Sequence, residues 1–223
     1  ERKDHPDTIL EKRNKKINST FSNNNGGLGG VIYTDGGSVT LQSSTFSSNS
    51  SQKGGVIYAI NSATIISSGN TFTNNSAGNG GLGGVFAMGY GGSFSDTGSV
   101  YELNSAAGNG GVFYTFHNFF GSVPNQLTVA NGTFDTNSSP TNTGGVFYLS
   151  GKGGLSVSDS TFTENHAYGG GAIWAVGLDG EVVLSGSSFT QNQATNSQGG
   201  AVAVLANGAT SVTDLTIQDC VFE

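Results

Sequence analysis

Thr45-Phe46-Ser47-Ser48-Asn49, followed after four residues by Gly54-Gly55-Val56-Ile57-Tyr58, is the phrase on which this chain is built. Its first half returns at Phe21/Asn24, Phe72/Asn75, Phe134/Asn137, Phe162/Asn165 and Phe189/Asn192. Tyr101/Asn104 is a variant, and Phe222 opens one more copy. The second half returns at Gly29-Gly30, Gly83-Gly84, Gly110-Gly111, Gly144-Gly145, Gly170-Gly171 and Gly199-Gly200, each time followed by two apolar residues. Successive Phe or Tyr positions lie 25, 26, 29, 33, 28, 27 and 33 residues apart. A period of that size marks a solenoid or an array, because one such unit cannot bury its apolar face alone.

Between these phrases lies an apolar-x-apolar pair: Val39/Leu41, Leu127/Val129, Leu155/Val157, Val182/Leu184 and Leu215/Ile217. In each pair the second member precedes the aromatic residue by five positions. Apolar residues alternating with Ser and Thr have the period of a strand with one buried face. No stretch after residue 17 has a helical period. The pattern therefore predicts an all-β fold: a right-handed parallel β-helix of about seven three-strand rungs, stacked about 4.8 Å apart. A β-propeller blade needs four strands in a longer repeat, and a leucine-rich repeat needs its own Leu/Asn pattern, so neither fits.

Stacking of equivalent positions assigns structural roles. Phe46, Phe72, Phe134, Phe162 and Phe189 are expected to form an internal aromatic column. Asn75, Asn165 and Asn192, with their equivalents, are expected to form a corner ladder of side-chain amides. The Gly-Gly pairs supply a corner that needs positive φ or close backbone approach. Residues 1–17 do not fit the repeat and read as an N-terminal cap or inter-subunit arm, leaving 18–223 as the repeat domain.

The charge is uneven. Six of the eight Lys+Arg residues precede residue 17, so the repeat region keeps two cations against eleven acids, about −9 in net charge. Such a body repels nucleic acid, and it has no basic patch interleaved with aromatics. No apolar run approaches the length of a membrane helix, so no membrane insertion is expected within this segment. One cysteine, Cys220, excludes an intrachain disulfide framework.

Gly-Gly-[Ala/Val]-Ile alternating with Phe-x-x-Asn resembles the repeat of the chlamydial polymorphic outer membrane proteins and of similar microbial surface proteins. Gly170-Gly171-Ala172-Ile173 with Phe162-Thr163-Glu164-Asn165 carries the resemblance best, and Val replaces Ala in five of the seven Gly-Gly copies. The resemblance implies a pectin-lyase-like β-helix displayed outside the cell, acting in adhesion or as surface structure.

Catalysis of the kind many β-helices perform on acidic polysaccharides would need clustered carboxylates, or an Arg or Lys base. No Arg follows Arg13, and Lys53 and Lys152 lie in different units. Asp35, Asp96, Asp135, Asp159, Asp179, Asp214 and Asp219 are scattered singly and read as turn or corner residues. Stacking of coils could still bring Asp159 and Asp135 together. His5, His117 and His166 have no metal-ligand spacing, so neither a metal nor a cofactor is expected. Cys220, beside Phe222, reads as a small buried side chain.

Three features point to contact with partners. Tyr33, Tyr58, Tyr114, Tyr148 and Trp174 each follow an inward apolar residue, so alternation turns them outward as a stripe fit for a sugar or another subunit. The fourth unit carries an insertion with Phe116, Phe119 and Phe120, which either meets a partner or folds onto the body. Five N-glycosylation acceptors occur, at Asn18, Asn49, Asn74, Asn131 and Asn137. Asn49 and Asn137 also fall in the ladder, so Asn18, Asn74 and Asn131 are the better acceptors. The combined reading is a non-enzymatic extracellular β-helix that is a structural or adhesive module. Its expected partners are further copies of itself, stacked head to tail or side by side, and glycans. The alternatives are a pectin-lyase-like polysaccharide lyase or hydrolase, and a carbohydrate-binding module.

Overall fold

The computed structural model describes residues 13–116, 123–206 and 213–223. All its regular elements are strands, and every pairing between them is parallel, which makes the chain a parallel β-solenoid. One coil shows the plan: strands Ser38–Gln42, Thr45–Ser47, Ser50–Lys53 and Ile57–Ile60 follow in order. Each pairs with its counterpart one coil away, so the coils assemble four sheets of eight, eight, seven and seven strands. Seven coils are complete, and Asp214–Gln218 and Val221–Phe222 begin an eighth.

Each coil therefore has four strands rather than three. The additional strand follows the Asn corner and aims one small residue inward: Ser51, Ala77, Ala106, Ser139 or Ala167, all buried. One Ser or Ala per turn carries too little hydrophobic contrast to be read as a strand period. The solenoid also begins earlier than the repeat does. Arg13–Ile17, inside the segment assigned to a cap or arm, pairs in register with Ser38–Gln42. The pattern hides this strand because Asn14 and Lys16 align with the apolar Val39 and Leu41. Residues 1–12 lie outside the described residues.

The core is a set of columns running the length of the solenoid. Phe21, Phe46, Phe72, Tyr101, Phe134, Phe162, Phe189 and Phe222 stack in one line, with ring centroids 4.5–5.0 Å apart and planes within 10° of parallel. A second line, Phe86, Phe113 and Phe147, meets the first edge-on or tilted. Offset stacks and edge contacts of this kind add to the burial of the rings.

Corners are made by residues in the left-handed region. One column consists of Asn23, Ser48, Asn74, Leu103, Thr136, Glu164 and Gln191, with φ between 52° and 59°. Another includes Asn18, Ser43, Gly69, Gly98, Asn131, Asp159, Gly186 and Asp219. Non-glycine residues persist there because the coils above and below over-determine the backbone. The two glycines of each Gly-Gly pair answer different demands. Gly54, at φ 64°, takes the left-handed turn. Gly55 has ordinary φ, but a Cβ on it would overlap Gly84 O of the next coil.

Candidate functional site

The Asn ladder is regular. The Asn49 backbone N–H and its side-chain Nδ2 both donate to Asn75 Oδ1, at 3.0 and 2.9 Å, and Nδ2 also donates to Phe21 O at 3.0 Å. The same three bonds recur at Asn75, Asn104, Asn137 and Asn165. Asn192 ends the series, donating to Phe162 O. Each buried amide thereby satisfies a corner N–H that no strand ladder reaches.

This geometry corrects two of the glycosylation sites. Asn49 and Asn137 are fully buried with both Nδ2 hydrogens engaged, so neither amide is open to modification. Asn18, Asn74 and Asn131 stand exposed on the left-handed corners.

A second polar ladder went unread in the sequence. Ser44 N donates to Asn70 Oδ1, Asn70 N to Ser99 Oγ, Gly132 N to Ser160 Oγ and Ser160 N to Ser187 Oγ, all at 2.9–3.1 Å. Cys220 continues this column: its Sγ reaches Gln218 O as Ser187 Oγ reaches Ser185 O. The signal was present, since a small residue stands two before each inward aromatic.

The aromatic flank is a mixed stack. Strand register aligns Tyr33, Tyr58, Ala87, Tyr114, Tyr148, Trp174 and Ala203 in one column on the outer side of the sheet, but Tyr58, expected to meet a partner, is covered to 7% exposure while Tyr33, Tyr114, Tyr148 and Trp174 are half-buried. Tyr114 and Tyr148 stack at 5.2 Å, and Tyr33 meets Tyr58 at 5.8 Å. Ala87 would break the line, but Phe116 fills the gap. Its ring lies over Gly89, where any Cβ would collide with it, 6.2 Å from Tyr58 and 5.9 Å from Tyr114. Tyr90, which sequence reasoning missed, meets Phe116 edge-on at 5.0 Å. Phe119 and Phe120 lie outside the described residues.

The ring faces on this flank are turned largely toward one another, so edges and hydroxyls are what it offers outward. Burial raises the hydroxyl pKa of Tyr58, Tyr114 and Tyr148, so these groups remain neutral hydrogen-bond donors. Lys53 Nζ stands 6.0 Å over the Tyr58 ring, a cation–π contact at the edge of the stripe. Trp174 lies over Gly169, where a Cβ would collide with its ring.

Among the described residues the acids stack at most in pairs in register, Glu102 with Asp135 and Glu181 with Asp214. Asp135 pairs in register with Glu102 and Thr163, whereas Asp159 turns a corner beside Gly186, so stacking does not bring Asp135 and Asp159 together. Asp35 accepts a 2.7 Å bond from Asn61 Nδ2. Among the described residues no three His, Cys, Asp or Glu side chains converge as metal ligands. No helix of the described residues is long and apolar enough to cross a membrane.

Asp96 departs from its reading as a turn residue: it faces the core, only 1% exposed. It occupies the position of Leu41 and Val129 in other coils, five residues before the aromatic column, and that spacing could have found it. Its Oδ1 accepts from Ser99 Oγ at 2.6 Å.

The columns, corners and ladders together define a repeat β-helix whose coils are tied by internal Phe and Asn stacks. Two windows, residues 43–60 and 159–176, match the model of the Chlamydia polymorphic membrane protein repeat, and the solenoid is built of repeats of that type. No curated protein and no solved structure matches the chain.

Proposed function

We propose that the chain is a non-enzymatic extracellular module, structural or adhesive, of a larger surface protein or filament. The observation that carries this reading is the outward aromatic flank, mounted on a body whose interior is given over to stacking. Parallel ladders on four sides resist bending, and the flank presents neutral hydroxyls and ring edges along that rigid support. The polymorphic-membrane-protein type of the repeat supports a place at the cell surface.

Contact through the flank is tested with the purified chain on a glycan array and on intact cells. Binding that falls at least tenfold in a Tyr114→Ala/Tyr148→Ala chain, with unchanged circular dichroism, supports it. A parent chain that binds neither surface overturns the adhesive role.

Self-association belongs to the same reading. Its physical ground is that an unpaired sheet edge invites pairing with a further copy unless it is covered. Sedimentation velocity is expected to show concentration-dependent growth, and monomers alone at high concentration would count against it.

Glycans are the last component. Expressed in a host that N-glycosylates, the chain is expected to carry sugar at Asn18, Asn74 or Asn131 and none at Asn49 or Asn137. Peptide mapping that finds a glycan on Asn49 or Asn137 would contradict the buried ladder.

A further inference from the structure

Two substitutions of the repeat pattern fall in one coil. Down the inward column, Leu41 gives way to Ser67 and then to Asp96 before Val129 restores an apolar residue. In the aromatic column one ring, that of Tyr101, carries a hydroxyl. Asp96 and Tyr101 are both fully enclosed, and both keep a polar atom without a formed hydrogen bond: Asp96 Oδ2 and the Tyr101 hydroxyl. The two groups lie close enough to influence each other's ionisation, yet short of an aligned bond.

We propose that this coil contains a proton switch: the fold holds Asp96 as the neutral acid at pH values where the opened chain carries it as the carboxylate. An ionised carboxylate here would have one formed bond, from Ser99, and no facing cation. The strand below contributes Ser67, the strand above Val129, and the corner Ser99 and Asn70. Phe94, two residues earlier on the same strand, packs against Phe86 and Phe113, and of the groups that act on Asp96 only Tyr101 titrates. Glu102, the nearest other carboxylate in sequence, lies on the outer side of its strand. Burial drives the Asp96 pKa upward, against the smaller lowering from the hydroxyls of Ser67, Ser99 and Tyr101 and from the Ser99 N–H. Desolvation raises the Tyr101 hydroxyl far higher still, so the phenol stays neutral throughout.

The sign follows from linkage. A folded-state carboxyl that titrates above its unfolded value, about 3.9, favours the fold fully below that value. The contribution then fades as pH rises toward the folded-state titration. Above it, every unit of separation lowers the folded-to-unfolded ratio about tenfold.

The test is urea unfolding of the full chain from pH 3.5 to 8, with ¹³C NMR titration of the Asp96 carboxyl. The wild-type ratio is expected to fall across the window in which Asp96 ionises. Asp96→Asn should flatten that window and raise the ratio at pH 7 by the factor the wild type loses. Tyr101→Phe removes a hydroxyl that favours the ionised form, so its Asp96 signal is expected to titrate higher than in the wild type. The proposal is overturned by an Asp96 carboxyl that titrates at or below about 3.9, or by an Asp96→Asn chain with the wild-type slope. A Tyr101→Phe chain whose Asp96 titration stays or moves down overturns the pairing.

Discussion

A Phe134→Ala chain is expected to lose about 3–5 kcal/mol of stability, the range for truncating a fully buried Phe. Phe134 lies 4.8 Å from Tyr101 and 4.7 Å from Phe162, both nearly parallel to it, and meets Phe147 at 5.5 Å. Truncation removes the transfer energy of the ring and leaves a cavity between two coils fixed by their backbone ladders, which therefore cannot close over it. Phe222 provides the contrast. It continues the same column but is 45% exposed, with one ring neighbour, Phe189. Its loss should cost about 1 kcal/mol, in proportion to the smaller area buried. Urea midpoints at unchanged slope give both values. Equal losses at the two positions would mean that the aromatic column is not stacked as described.

Alanine at Gly111 is the second severe change, although its backbone conformation is an ordinary one. A Cβ there would overlap Gly145 O of the next coil and stand 2.7 Å from Ser138 O. Both obstacles are backbone, held by the ladders on either side, so neither can swing away as a side chain would. The expected cost is about 3 kcal/mol, the upper part of the usual range for overpacking. Gly78→Ala is the matched control: nothing lies within 4 Å of the place its methyl would take, and its stability should stay within about 0.5 kcal/mol of the parent. A Gly111→Ala chain as stable as Gly78→Ala would refute the close approach of coils at the Gly-Gly corner.

The repeat was legible because a solenoid makes the same demand in every coil. A buried ring column can be read as Phe every 25–33 residues, and a corner that admits no Cβ as a second Gly. Where the demand was weak, the sequence was mute. The strand beginning at Ser50 buries one small residue, so it left no hydrophobic period. Arg13–Ile17 is a strand by virtue of its pairing with Ser38–Gln42, against the polarity of its own residues. The Ser/Asn/Cys corner ladder was written in the sequence, two positions before each aromatic, but small polar residues are too common in this chain to stand out.

The candidate sites divide in the same way. That Tyr33, Tyr58, Tyr114 and Tyr148 face outward follows from strand alternation, a local property that sequence carries. That Phe116 bridges the break at Ala87 depends on Gly89 lying one coil below it, 27 residues earlier in the chain. Sequence by itself determined which residues repeat, and hence a stack of parallel coils with Phe and Asn inside. Tertiary structure alone decided what becomes of the residues that break the pattern. Asp96 and Tyr101 look like a turn acid and a conservative ring variant until the coil closes and buries both in the core. The physical reason is that periodicity records what neighbouring coils share, while burial of an exception depends on which neighbours it meets.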